Sequence, residues 1–308
     1  MQIKATKPLI DARYDPSLEG NVNGPSLIRV PDWVPNRLGR YYLYFAHHEG
    51  KTIRLAYADD LYGPWHLHPP GALRLEESLF PTTPPKEADV HPIMRQLIAE
   101  GKDGYYPHIA SPDVHVDEAQ RQFRLYYHGR LANGAQMTRV ALSSDGLRFQ
   151  PHPDVLGRSY FRVFRHGQAW YALVMPGQIL RSEDGLTNFA AGPRLFNEHM
   201  RHSGLLKQGN RLLVFWTQVG DTPERIWLST IDLSDDWQTW RESEPVEIHR
   251  PRKAWEGVNL PLEPSLRGSV MEPVNQLRDP AIFSENSQHY LLYSYAGEQG
   301  IGIGRLLL

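Results

Sequence analysis

His108-Ile-Ala-Ser-Pro-Asp-Val-His-Val-Asp117, followed after a polar turn by Phe123-Arg-Leu-Tyr-Tyr-His-Gly129, reads as two strands of one hairpin. Val114 and Val116, then Phe123, Leu125 and Tyr127, alternate with the period of two that a half-buried strand requires. A Pro-Asp opens the first strand and a His-Gly closes the second. The same plan returns along the chain, at residues 26–30, 41–46 and 52–57 before it, and at 160–181, 204–229 and 280–306 after it. Ser-Asp-Gly-Leu at 144–147 and Glu-Asp-Gly-Leu at 183–186 punctuate the second and third copies. Five copies of a short-stranded antiparallel unit predict an all-β fold, a single five-bladed β-propeller. The fifth copy ends after three strands, so residues 3–10 are expected to supply its fourth strand and close the ring, removing two exposed edges. One domain over 1–308 is expected, with long insertions at about 66–106 and 241–278. Residues 86–102 of the first, with Val90, Met94, Leu97 and Ile98, are expected to hold one short helix.

Composition narrows the function. The 308 residues are 41% hydrophobic and 22% charged, with a formal net charge of −2, so no basic footprint for nucleic acid is present. Cysteine is absent, which excludes disulfides, thiolate nucleophiles and zinc-thiolate sites. No apolar run is long enough for a membrane span and the N-terminus lacks an apolar leader core. A cytoplasmic protein is expected, with secretion after loss of a leader left open.

In such a ring the starts of the first strands and the ends of the second strands share one face. The starts carry Asn21, Asn23 and Gly24; His108, Ser111 and Asp113; Arg158 and Ser159; Arg201 and His202; Arg278 and Asp279. The ends carry His47, His48 and Glu49; His128; Met175; Thr217 and Gln218; Tyr295 and Glu298. This face is too polar for packed core and is the expected site. Asp279 is read as a general base or pKa partner, against the alternative of a turn cap. His202 is read as a proton donor. Glu256 and Glu272, in the second insertion, are candidates for a second carboxylate, against the alternative of ordinary loop acids. Asn23, His48, His108, Asp113, His128, Arg158, Arg201, Arg278 and Tyr295 are the expected substrate-binding set. Arg158, Arg201 and Arg278 suggest an anionic ligand group unless they pair with carboxylates inside the ring. No cofactor is expected; His47 and His48 are consecutive, and no His-x-His or His-x₃-His spacing supports a metal.

Ser-Pro-Asp113-Val-His-Val-Asp, Arg-Asp279-Pro-Ala-Ile-Phe and the Ser-x-Asp-Gly-Leu-x-Phe closure resemble motifs of the five-bladed family 43 glycoside hydrolases and their relatives. The resemblance covers essentially the whole chain. It implies a propeller with a carbohydrate site on its axis. The family's general base, pKa-modulating acid and acid Glu open blades one, three and four. Here Asn23-Gly24-Pro25, Arg158-Ser159-Tyr160 and Arg201-His202-Ser203 stand there, so none of the three carboxylates is carried over. Family 117, in which a His serves as acid, is the nearer resemblance in this respect. The expected activity is cleavage of a glycosidic bond in an oligosaccharide that bears acidic groups or none. A polysaccharide lyase, a phosphorylase and a non-catalytic carbohydrate-binding propeller are the alternatives. The partner expected is a carbohydrate, with no nucleic acid or membrane; oligomeric state is left open.

Overall fold

Strand β1 (Gln2–Asp11) leads into blade one, formed by β2 (Asn23–Arg29), β3 (Tyr41–Ala46), β4 (Thr52–Ala58) and β5 (His66–Arg74). A helix, α1 (Pro92–Ala99), precedes blade two. That blade comprises β6 (Ile109–Asp117), β7 (Gln122–Arg130) and β8 (Gln136–Ser143), with the short β9 (Gln150–Pro151) and β10 (Gly157–Arg158) on its outer edge. Blade three is β11 (Arg162–His166), β12 (Ala169–Val174), β13 (Gln178–Ser182) and β14 (Ala190–Arg194). Blade four is β15 (Met200–Gln208), β16 (Arg211–Gln218), β17 (Ile226–Asp232) and β18 (Val246–His249). Blade five is β19 (Arg278–Glu285), β20 (Gln288–Tyr295) and β21 (Gly300–Leu307). This is a computed structural model and describes residues 1–100, 104 and 106–308.

The five sheets form a five-bladed β-propeller. β1 pairs antiparallel with β21, from Gln2 opposite Leu307 to Asp11 opposite Gly300, and so closes the ring as the sequence predicts. The first strands of the blades line the axis: β19 packs on β2, β2 on β6, β11 on β15 and β15 on β19. Second strands are buried on both faces, which is why 41–46 reads Tyr-Tyr-Leu-Tyr-Phe-Ala without alternation. Each such aromatic or aliphatic side chain contributes about 1.5–3 kcal/mol on full burial. Tyr42, Tyr44 and Phe123 pack between blades one and two, and Phe215, Leu291 and Tyr293 between four and five.

The expected insertions are shorter than their sequence limits. Residues 66–74 and 246–249 are the outer strands of blades one and four, so the first insertion begins only after β5 and the second only after β18. Their edges are short or interrupted by His-Pro-Pro-Gly, which hides the strand period. The helix is also shorter than 86–102. His91 caps it by accepting from Ile93 N–H at 3.3 Å, and Pro92 sits in its first turn. Val90 stays outside it, and Lys102 lies outside the described residues.

Candidate functional site

The chain turns its site residues toward the axis by one local device. The first strands of blades one, two, four and five each break register where they begin: between Asn23 and Ser26, Ala110 and Asp113, Met200 and Ser203, and Arg278 and Ala281. A bulge of this kind kinks a strand and re-aims a side chain. At Gly24, Ser111, Tyr160 and Asp279 the backbone is left-handed, with φ of 59°, 52°, 68° and 50°. Three of these residues precede proline (Pro25, Pro112 and Pro280). For Ser, Tyr and Asp that conformation costs about 1–2 kcal/mol each, strain of the sort that collects at working sites. At Gly24 space is also short: a Cβ would stand 3.2 Å from the Ser111 Cα.

These starts open on one cavity of about 720 Å³. Of the residues singled out from sequence, Asn23, His48, His108, His128, Arg158, Arg201, His202 and Asp279 all line it. Both insertions contribute wall: Met94 and Leu97 from α1, and Arg267, Gly268 and Ser269 from the loop before blade five. The only carboxylates on the described lining are Asp279 and Glu49.

Asp279 is buried in the cavity wall and held on both oxygens. The Tyr160 hydroxyl donates to its Oδ1 at 2.7 Å and the Ser294 hydroxyl to its Oδ2 at 3.1 Å. Burial and the nearby Glu298 charge push its pKa up; the Tyr160 bond, Arg201 and Arg278 oppose this without cancelling it. His202 lies beside it, with its ring 4.9 Å from that of Tyr160 and Nε2 3.4 Å from Asp279 Oδ1. The Asp279 backbone N–H donates to His202 Nδ1 at 3.3 Å. Nδ1 therefore accepts, and the ring proton sits on Nε2, facing Asp279. Burial pushes the His202 pKa well below its ordinary value, reinforced by Arg201 and Arg278. A neutral imidazole in this tautomer orients Asp279. Against the expectation that His202 is the proton donor, an imidazolium beside two guanidinium groups is disfavoured, while the neutral ring still presents its Nε2 proton to Asp279.

Facing Asp279 from blade one is a second arrangement. His48 Nδ1 lies 3.2 Å from both carboxylate oxygens of Glu298. Glu298 is buried and also accepts from Asn21 Nδ2 at 2.9 Å, Asn23 Nδ2 at 3.0 Å and Arg278 Nη1 at 3.1 Å. Burial pushes its pKa up, but His48, Arg278 and Asn21 together outweigh that and hold it well below the carboxylate range. An ionised Glu298 only accepts, so Nδ1 of His48 carries a proton toward it and the ring is held with its Nε2 edge away from Glu298. Deeper on the axis, His108 and His128 meet edge to face at 5.6 Å. Burial and the neighbouring His108 keep His128 neutral, well below its ordinary pKa. Among the described residues, no group of three or more His, Cys, Asp or Glu side chains is arranged to hold a metal ion.

Five expected site residues stand elsewhere. Asp113 Oδ2 lies 2.8 Å from His115 Nε2 and accepts from Val163 N–H at 2.8 Å; His115 lines a hollow at the opposite end of the axis. Arg278 is fully buried below the cavity, paired with Glu224 at 3.2 Å and Glu298 at 3.1 Å. Tyr295 is buried where β20 meets the closing strand, donating to Ile10 O at 3.3 Å and Asp11 Oδ2 at 3.2 Å. Glu256 is fully buried, accepting from Tyr293 OH at 2.6 Å and from Arg252 and Lys253 N–H, with His249 Nε2 at 2.8 Å. It braces the loop and does not reach the cavity. Glu272 is exposed and off the cavity wall. Sequence reasoning gave no role to Glu298, Tyr160 or Arg267. Glu298 stood among the strand-two ends and Tyr160 next to Ser159, so position pointed to both. Nothing in the sequence around Arg267 marked it.

No family model matches the chain. It is 36% identical over 313 residues to the uncharacterized protein R118 of Acanthamoeba polyphaga mimivirus, covering 93% of this chain and 83% of that one. The chain belongs to the R118 family. Solved structures place that family's fold. A thermostable family-43 glycoside hydrolase superposes with a TM-score of 0.57 at 14% identity, over 94% of this chain and 90% of its own. A GH43 β-xylosidase/α-arabinofuranosidase from a compost microbial metagenome, in complex with xylotriose, gives 0.59 at 14% identity, over 99% and 95%. A Cellvibrio cellulosa α-L-arabinanase complexed with arabinohexaose gives 0.54 at 13%, over 93% and 92%. The R118-family chain thus has the five-bladed glycoside hydrolase fold with its own set of residues on the axis.

Proposed function

We propose that this chain hydrolyses a glycosidic bond in an oligosaccharide bound in the axial cavity. The observation that carries the reading is one cavity holding both a buried carboxyl group with a raised pKa, Asp279, and a carboxylate-oriented imidazole, His48. Asp279 is the general acid: its raised pKa favours the protonated form that a leaving oxygen needs. His48 is the base, with Glu298 fixing its tautomer so that Nε2 takes the proton from an attacking water. His202, Tyr160 and Ser294 position Asp279. The solved relatives in complex with xylotriose and arabinohexaose support a saccharide in this cavity, through shared fold alone.

The test is turnover and binding on a panel of neutral and acidic oligosaccharides, with D279N and H48Q beside wild type. Hydrolysis by wild type, lost by about 10²–10⁴-fold in each variant with binding retained, supports the reading. Turnover that leaves an unsaturated, ultraviolet-absorbing product would replace hydrolase by lyase. Turnover that requires phosphate would replace it by phosphorylase. Binding without turnover across the panel would make this a sugar-binding propeller, which the non-carboxylate residues Asn23, Ser159 and His202 already favour as the second reading.

A further inference from the structure

Three arginines at the blade starts suggest an anionic ligand, but the structure divides them. Arg201 and Arg278 are buried and neutralised: both pair with Glu224, at 3.3 and 3.2 Å, and Arg278 also with Glu298. Their remaining donors hold a loop. Arg201 donates to Leu266 O at 3.0 Å and Gly268 O at 3.3 Å; Arg278 donates to the same carbonyls at 3.5 and 3.1 Å. The residue between those two pinned carbonyls is Arg267, and it lines the cavity. Its Nη1 approaches Met175 Sδ at 3.9 Å and its Nη2 donates to Glu198 O at 3.5 Å. Neither contact neutralises a guanidinium. Met175 N–H in turn donates to Ser159 O at 3.4 Å, beside Arg158, which lines the same sector of the wall from β10. Among the described residues, no carboxylate pairs with Arg158 or Arg267.

We propose that Arg158 and Arg267 form an anion subsite, so that the saccharide taken by this cavity carries a carboxylate or sulfate. This rests on the reading of the cavity as a sugar site and names its substrate class. Guanidinium forks match the paired oxygens of either group, and both line the cavity, Arg158 from β10 and Arg267 from the loop before blade five, with Met175 beside each. The buried arginines act as positioning residues that present Arg267 on a fixed backbone. Arg278 stays below the cavity, and Arg201, which reaches its wall, is neutralised by Glu224.

The experiment compares binding of three matched oligosaccharides, one neutral, one uronate-bearing and one sulfated, to wild type and to R158M, R267M and the double variant by calorimetry. The acidic ligand is expected to bind wild type more tightly than the neutral one. The double variant should lose about 10–100-fold for the acidic ligand only, the weight of one or two charge-assisted bonds. Preference between uronate and sulfate decides which group the subsite takes. Equal affinity of wild type for neutral and acidic ligands overturns the subsite and leaves the sugar site standing. Loss for both ligands in the double variant also overturns it, because the arginines would then serve general packing. If no saccharide binds while inorganic sulfate binds wild type and not the double variant, the subsite stands and the sugar reading falls. Melting temperatures exclude misfolding, and both side chains are exposed.

Discussion

Asp113 and Asp279 each adjoin a proline at the start of a first strand, in blades two and five, and they meet opposite fates. Asp279 precedes Pro280, and Asp113 follows Pro112. The two bulges superpose Ser111 on Asp279, both left-handed, and therefore Asp113 on Ala281. In a regular strand residues 111 and 113 would share a face. The bulge breaks that rule, so Asp279 turns into the cavity while Asp113 serves the other end of the axis with His115. Their ionisation diverges with their place. Burial pushes Asp113 up too, but His115, Arg162 and the Val163 N–H overcome it and hold its pKa down. Around Asp279 burial and Glu298 prevail. Both carboxyls have hydrogen-bond partners; what differs is the charge nearby, His115 and Arg162 around Asp113 and Glu298 beside Asp279.

The strongest way to break this contrast is to remove Arg162. Its guanidinium donates to Ser203 O at 2.9 Å, Phe161 O at 3.1 Å, Pro112 O at 3.2 Å and Ser111 O at 3.4 Å, tying blades two, three and four together at the axis. R162M strands those carbonyls and takes a positive charge from Asp113, and should cost about 3–5 kcal/mol, read from the denaturant midpoint. A loss under about 1 kcal/mol would show that the axis does not depend on it.

The next effect is a difference in sign. The folded pKa of Asp113 is lowered, so its contribution is present above the unfolded value of about 3.9 and is lost as pH falls through the folded one. D113N should therefore destabilise at pH 7 by about 1–3 kcal/mol, with the gap closing in acid, and should leave turnover per folded molecule unchanged. The folded pKa of Asp279 is raised, so its ionisation opposes folding above that pKa and is harmless below the unfolded one. D279N should not lower the melting temperature at pH 7. A D279N protein that melts well below D113N would make Asp279 a structural turn residue and end the comparison.

The smallest effect sharpens it. Y160F removes the bond that holds the Asp279 pKa down, so the alkaline limb of activity should move to higher pH. The maximal rate should fall by about fivefold, the equivalent of one hydrogen bond of about 1 kcal/mol. An unmoved limb would mean that Asp279 is not the titrating acid.

Much of the site was legible in sequence. The repeated strand pairs show where five first strands begin, and polar residues at those starts mark the working end of the axis. His48, His128, His202 and Asp279 fall on one cavity for that reason. Where reading failed, a feature without period intervened. Asp113 was displaced by a bulge, Tyr295 by the closing strand it packs against, and Arg278 by two buried acids, one of them Glu224, far from it in sequence. Glu256 was claimed by Tyr293 and the His249 ring before it could reach the cavity.

The five-bladed ring, its closure by the N-terminal strand and the end at which polar chemistry gathers are written in the order of residues along the chain. Those follow from alternation and repetition, which local side-chain burial imposes on every blade. Only the folded ring settles which arginines are neutralised and which face the cavity, which carboxyl has its pKa raised and which lowered, and that His48 is held by Glu298 while His202 lies against Asp279. Charge and proton affinity depend on burial and on neighbours brought from other blades, such as Glu298 against His48, 250 residues apart. No local pattern records such distances.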